Sequence, residues 1–169
     1  MSTTTEAANV ANGFKTAMRR MASSVSVITT CNGETHQGMA ASSVTSLSMQ
    51  PPSLLVCINR NVAMHPAVLG AKLFCVNLLG EQHGSVCDAF GGKLSGAERF
   101  TVGEWGETDT GLRYLLDAPA AMICRLDAAY DYGTHTICIG VVEEVILAEH
   151  GAPLLYREGG TGKFVPFTI

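Results

Sequence analysis

Apolar and polar positions along the chain alternate between two periods. Phe14, Ala17, Met18 and Met21 recur at helical spacing with Lys15, Arg19 and Arg20 opposite, which predicts a short helix over 14–21. Met1 to Asn12 is polar, and a flexible, frayed N-terminus is expected there. Ser24 to Thr30 is β-branched and reads as a strand, and Asn32-Gly33 is a hairpin turn signal. One returning strand is expected from Gln37 to Ser46. Pro51-Pro52 closes that pairing, because proline donates nothing to a ladder. Ser53 to Ile58 makes a third strand, His65 to Ala71 one or two helical turns, and Leu73 to Leu78 a fourth strand. Glu81 to Phe90 predicts a helix stopped by Gly91-Gly92. Gly96 to Leu112 reads as loop. Ala120 to Tyr132 and His135 to Leu147 are long strands broken at Asp131-Tyr132-Gly133-Thr134, and Leu154 to Tyr156 is a short last strand.

Most of these strands are joined by hairpin-sized connections, and full-length alternating β-α units are missing. A doubly wound parallel sheet is therefore excluded in favour of a mainly β, antiparallel barrel with a few short peripheral helices. No repeat or linker divides the chain, so residues 13–169 are expected to form one domain. Charged residues make up only 15% of the chain, too few to cover a monomer, which points to a surface buried in a second copy. A net charge of −4 leaves no basic footprint for nucleic acid. No apolar run is long enough to span a membrane, and the polar Met1–Asn12 stretch is not expected to act as a secretory signal. The six cysteines lie mostly in apolar runs without C-x-x-C pairs, as expected of reduced thiols in the cytoplasm.

The chemistry concentrates between Gln37 and Pro52, a strand-like run dense in small hydroxyl residues, followed by the apolar Ser53–Ile58 and the polar Asn59-Arg60-Asn61. Small residues let a flat ligand lie against backbone, and hydroxyls, amides and a guanidinium suit a phosphate. Other motifs fail. Gly159-Gly-Thr-Gly-Lys163 lacks the spacing of a phosphate loop, having Arg157 and Phe164 at the defining positions. The histidines at 36, 65, 83, 135 and 150 are scattered and build no metal site. His135 and Cys138, three apart on a strand, face opposite ways and cannot form a catalytic pair.

Taken in order, several pieces resemble the short-chain flavin reductases, the reductase partners of two-component flavin monooxygenases. They are Met21-Ala-Ser-Ser-Val-Ser-Val-Ile-Thr-Thr30, Gly38-Met39 with Ser46-Leu-Ser48 and Pro51-Pro52, and Val56-Cys-Ile-Asn-Arg60. Phe74-Cys-Val-Asn-Leu78, Gln82, Phe90-Gly91, Gly133-Thr-His135 with Gly140, and Pro153-Leu-Leu-Tyr156 continue the match, from about Phe14 to Phe164. The resemblance implies a Greek-key split barrel of the FMN-binding type, usually homodimeric. It implies hydride transfer from NADH or NADPH to FMN or FAD, with reduced flavin passed to a monooxygenase. It places Met39, Ala40, Ala41, Ser42, Ser43 and Val44 along the flavin ring, and Ser46 and Ser48 toward the ribityl or phosphate end. Cys57, Ile58 and Asn59 fall at the ring edge and ribityl chain, Arg60 at the phosphate, and Phe90 and Gly91 beside the flavin. His135 stands by the nicotinamide, and Lys163 and Phe164 close the site. Such a reaction needs stacked rings rather than a nucleophile or metal.

The chain departs from the family pattern where many relatives carry Asp before the histidine, here Thr134, and Thr after Gly-Met, here Ala40. The segment 157–162 is longer and richer in glycine than the common form and is expected to act as a mobile flap. Two other readings fit the same barrel: a non-enzymatic carrier or sensor of flavin or haem, and an oxidase passing electrons to its own substrate.

Overall fold

The structure is a computed structural model and describes residues 3–149 and 151–167. A helix, α1 (Thr3–Arg19), precedes the strands; from Glu6 onward its residues are exposed. It begins well before the predicted 14–21, so most of the segment expected to fray is helical; Met1 and Ser2 lie outside the described residues. The apolar spacing marks only the half of α1 that carries Phe14, Ala17 and Met18, while helix-compatible Ala and polar residues carry the rest.

The main sheet contains β2 (Ser26–Asn32), β3 (Thr35–Ala41), β4 (Val44–Met49), β5 (Pro52–Asn59), β6 (Leu73–Leu78), β9 (Ala120–Tyr132) and β10 (His135–Leu147). Their order is β3-β2-β6-β9-β10-β5-β4, antiparallel throughout. β1 (Ser23–Ser24) pairs with the C-terminal hairpin β11 (Leu154–Arg157) and β12 (Gly160–Lys163). A small hairpin, β7 (Trp105–Glu107) with β8 (Arg113–Leu115), occupies the region read as loop. Helix α2 (Met64–Ala71) lies between β5 and β6. The predicted 81–90 helix is a chain of short turns around α3 (Gly84–Asp88), ending at Gly92 with φ 118°.

One expectation fails in an instructive way. The single strand predicted from Gln37 to Ser46 is two strands, β3 and β4, interrupted at Ser42-Ser43. Both run in the same direction, but β3 bonds to β2 and β4 bonds to β5. In the ladder β2 and β5 are four strand spacings apart, about 19 Å across a flat sheet. Consecutive halves of one segment can reach both only if the sheet curls round, so the chain forms a barrel split at this strand.

The barrel interior holds Ile28, Leu54, Val56, Ile58, Phe74, Val76, Cys124 and Cys138. A second cluster, with Val27, Leu79, Val86, Phe90, Phe100 and Leu115, lies under the 81–118 excursion. Strand β2 serves both, which is why Ser26 to Thr30 are all buried without alternation. Gly140 permits close packing at the barrel centre, since a β-carbon there would come within 2.5 Å of Phe74 Cζ. Asn77, fully buried, joins the two layers. It donates to the Val27 carbonyl at 3.0 Å and accepts the Leu115 N–H at 2.8 Å.

Candidate functional site

Strand β3 has a ladder partner on one side only. Arg99 Nη1 donates to the Gly38 carbonyl at 2.6 Å, so that carbonyl points away from β2. Strand backbone alternates every two residues, so the N–H and C=O of Ala40 turn the same way. They open on a cleft of about 290 Å³ walled by Met39, Val62, Met64, Phe90, Gly91 and Arg99. A second cavity of about 290 Å³ continues from Ala40 and Gly91 past Ala41, Ser42, Cys87 and Tyr156.

The two walls are shaped by missing side chains. A β-carbon at Gly91 or Gly92 would meet nothing within 4 Å, so both glycines face open space. Gly38 is different: a β-carbon there would sit 2.9 Å from Phe90 Cδ1 and closer still to Cε1. Phe90 is 3% exposed, and its ring lies 5.2 Å from both Phe100 and Trp105. Phe90 therefore forms the floor beneath the cleft within an aromatic cluster. Met39 packs toward the barrel interior and Ala40 toward the second cluster, so the strand offers the cleft mainly backbone.

At the break, Ser43 Oγ donates to the Cys57 carbonyl at 3.1 Å, a bond that pins β3–β4 to β5 where the ladder changes partner. Ser42 is exposed and lines the cleft; Val44 packs on the barrel core. Ser46 and Ser48 were expected to share a face by two-residue spacing. A bulge at Leu47 upsets that spacing, since Ser46 pairs with Leu54 and Ser48 with Ser53. Ser48 Oγ is spent on a local turn, accepting the Gln50 N–H at 3.0 Å. Ile58 is buried in the barrel, leaving only its backbone for a ligand, whereas Cys57 and Asn59 turn to the outer face.

His135 opens β10 directly opposite Asn59 and is exposed, with Nδ1 2.9 Å from Thr134 Oγ1. Arg60 is tied to the neighbouring hairpin. Its Nη2 donates to the Gly133 carbonyl at 2.7 Å, its Nη1 lies 3.3 Å from Asp131 Oδ2, and its N–H donates to the Thr134 carbonyl at 3.0 Å. Thr136 Oγ1 donates to Asp131 Oδ1 at 2.5 Å. Its single proton is thereby used, so it accepts from His65 Nε2 at 2.8 Å. The Thr136 hydrogen bond, with the Arg60 charge behind it, holds the Asp131 carboxyl below the usual range. This network fixes the hairpin turn that carries His135.

Lys163 lines a separate cavity of about 500 Å³ with Glu81, Gln82 and Thr161, and Phe164 is exposed beyond β12. The C-terminal hairpin reaches the cleft through Tyr156 instead. The glycine-rich 157–162 segment, expected as a flap, largely forms the β11–β12 hairpin. Val62, Met64, Tyr156 and Arg99 escaped the sequence reading. Only Arg99 carried a signal, as a cation beside the core-forming Phe100.

All six cysteines are free, and burial pushes the thiols of Cys124 and Cys138 up to about 12 and about 11, with Cys75 higher still. None of these three buried thiols is a ready nucleophile. Among the described residues no helix is long and apolar enough to cross a membrane; His150 lies outside them.

A family model described as "Flavin reductase like domain" matches residues 18–164. The reductase component of an FADH(2)-dependent resorcinol hydroxylase from Rhizobium sp. (strain MTP-10005) is 46% identical over 150 residues, covering 88% of this chain and 84% of that protein. The FMN reductase (NADH) RutF of Agrobacterium fabrum is 37% identical over 143 residues, covering 85% of this chain and 82% of its own length. A solved structure, the flavin reductase domain protein from Arthrobacter sp. FB24, aligns with a TM-score of 0.87 at 28% identity, over 94% of this chain and 98% of that one.

Proposed function

The chain belongs to the flavin reductase-like family, and we infer that it is an NADH-dependent flavin reductase supplying reduced FMN or FAD to a partner monooxygenase. The observation that carries this reading is the cleft along the unpaired edge of β3. Its backbone donor and acceptor at Ala40 suit the polar rim of a flat heteroaromatic ring, and the bare backbone of Gly91 and Gly92 leaves room for the ring itself. The residues present therefore fit a flavin.

When bound, the flavin supplies the hydride acceptor and the nicotinamide the donor. The chain's own work is placement. The β3 edge and the Ser42 hydroxyl orient one ring, while the Phe90–Phe100–Trp105 cluster makes the floor rigid and dry. His135, held by the Arg60–Asp131–Thr136–His65 network, orients the nicotinamide. A fixed ring pair at near-attack separation is the main source of acceleration in such a design.

The protein acts as a homodimer. Leu55, Cys57, Ile137, Ile139 and Val141 form an apolar sheet face that stays half-exposed among the described residues, with Tyr130 beside it 60% exposed. That face also carries Asn59 and His135, so a second copy seated there would border the nicotinamide side. The reduced thiols fit the cytoplasm.

NADH oxidation followed by absorbance, without flavin and with FMN or FAD, tests the activity. Turnover should rise with added flavin, and its absence with NADH and NADPH alike would overturn the reading. Sedimentation of wild type and Ile139→Lys tests the dimer: the wild type should be a dimer and the variant a monomer.

A further inference from the structure

We propose that Thr136 is a positioning residue that couples the two sides of the site: a directed chain of hydrogen bonds through its buried hydroxyl ties the α2 wall of the cleft to the turn that carries His135, so that the flavin side and the nicotinamide side are set together; this rests on the flavin reading above. Thr136 is 1% exposed and lies on β10 between Ile58 of β5 and Asp131 of β9. Its one hydroxyl proton goes to Asp131 Oδ1. His65 must then be the donor on the other side, with its proton on Nε2. Asp131 Oδ2 receives Arg60, which also reaches the Gly133 carbonyl. Side chains from α2, β10, β9 and the loop after β5 thus form one line in which every donated proton points toward Asp131.

Helix α2 needs such an anchor. The residue that precedes it, Ala63, makes no side-chain cap to the first turn. Met64 and Val68 are buried and hold α2 on the barrel, but apolar packing is non-directional and does not by itself set the rotation of the helix about its axis. The His65–Thr136 bond, at 2.8 Å, is directional and does. Val62, Ala63 and Met64 line the cleft opposite Phe90 and Gly91, so the setting of α2 fixes where that wall stands. At the far end of the chain Arg60 is bound by Asp131 and by the Gly133 and Thr134 carbonyls, and His135 follows directly. The Arg60 and Asp131 side chains are 45% and 61% exposed, where an ion pair adds little to stability. What the chain contributes is orientation across the site more than stability of the fold.

The test is steady-state NADH oxidation with FMN, together with FMN binding by fluorescence titration. The proteins are wild type, Thr136→Val, Thr136→Ser, His65→Ala, His135→Ala and the double variant His135→Ala/Thr136→Val. Thr136→Val should raise the KM for NADH about fivefold and weaken FMN binding about threefold, as for hydrogen bonds lost at one remove from the ligands. Thr136→Ser, which keeps the hydroxyl, should bring both back to within about twofold of wild type. His65→Ala, which cuts only the α2 link, should weaken FMN binding about threefold. In the His135→Ala background Thr136→Val should leave the KM for NADH within about twofold, because Thr136 acts through His135, while FMN binding still weakens. A Thr136→Val protein with a lowered Tm and wild-type constants would make Thr136 a structural residue only and overturn the proposal. So would failure of Thr136→Ser to rescue, or KM effects that multiply in the double variant. Should Thr136→Val not fold, unchanged FMN affinity in the half-exposed His65→Ala overturns it. Turnover by the wild type reports the flavin reading separately: none would sink both readings, whereas an active wild type beside an insensitive Thr136→Val overturns this one alone.

Discussion

Placing a methyl group at Gly38 tests whether the floor of the cleft is as rigid as the packing implies. In Gly38→Ala the new β-carbon arrives 2.9 Å from Phe90 Cδ1, against ordinary carbon contacts of about 3.5–4.0 Å, so the ring must move by at least half an ångström. It has little room: it is 3% exposed and wedged between Phe100 and Trp105. Overpacking of this kind costs about 1–3 kcal/mol, offset by about 0.4–1 kcal/mol from the stiffer unfolded chain. The net expectation is a loss of about 1–2 kcal/mol, or about 2–8 °C in Tm for a chain of this size. Phe90→Leu alone should cost about 1–2 kcal/mol by under-filling the cluster. The double variant should then be at least about 1 kcal/mol more stable than the sum of the two losses, because the smaller side chain makes room for the methyl. Urea unfolding of the four proteins by circular dichroism measures the cycle. Additivity within about 0.5 kcal/mol would refute the claim that the two positions compete for one space. Flavin affinity should fall in Gly38→Ala too, since Phe90 carries Gly91 with it.

Three further outcomes follow from the same geometry. Asn77→Ala orphans a buried Leu115 N–H and a buried Val27 carbonyl and should lower unfolding free energy by about 2–5 kcal/mol in urea titrations; a loss under about 1 kcal/mol would mean that water replaces the amide. His135→Ala should raise the KM for NADH by about tenfold while leaving the flavin dissociation constant unchanged, and a change in flavin binding alone would remove His135 from the nicotinamide side. Cys75, Cys124 and Cys138 should resist an aqueous disulfide reagent until the protein unfolds. Their folded values lie above the unfolded thiol's value of about 8.5. Their contribution to stability is therefore full below that pH and lost as pH rises toward about 11 and 12. A Tm that stays flat from pH 8 into that alkaline range would contradict this.

The strands that the sequence made legible are those whose runs are bounded cleanly at both ends. β6, β9 and β10 have the predicted bounds because β-branched and apolar runs end at turn residues on both sides. The partner switch at Ser42-Ser43 was not legible, because nothing local distinguishes a strand that keeps its neighbour from one that trades β2 for β5. Only the closure of the whole barrel decides it. The same limit governs the cations. Arg60 looked available by its place after a strand, yet Asp131, more than seventy positions away, claims it. Arg99 sat in a stretch read as loop, and its bond to the Gly38 carbonyl exists only in three dimensions. The β7–β8 hairpin was missed for a related reason: its strands are three residues each and are held by Asn77 rather than by their own periodicity.

A strand that serves both margins of one sheet has a consequence for how the fold protects itself. Exposed sheet margins invite strand addition from other molecules, and proteins ordinarily blunt them with charge, proline or a covering helix. Here β3 and β4 are the two margins, and on β3 the Arg99 guanidinium caps the Gly38 carbonyl. What remains open is the edge of β3 from Gly38 to Ser42, wide enough for a planar molecule. In such an architecture the bound ring acts as the missing rung, and the chain's most vulnerable margin is covered whenever the protein is loaded for work.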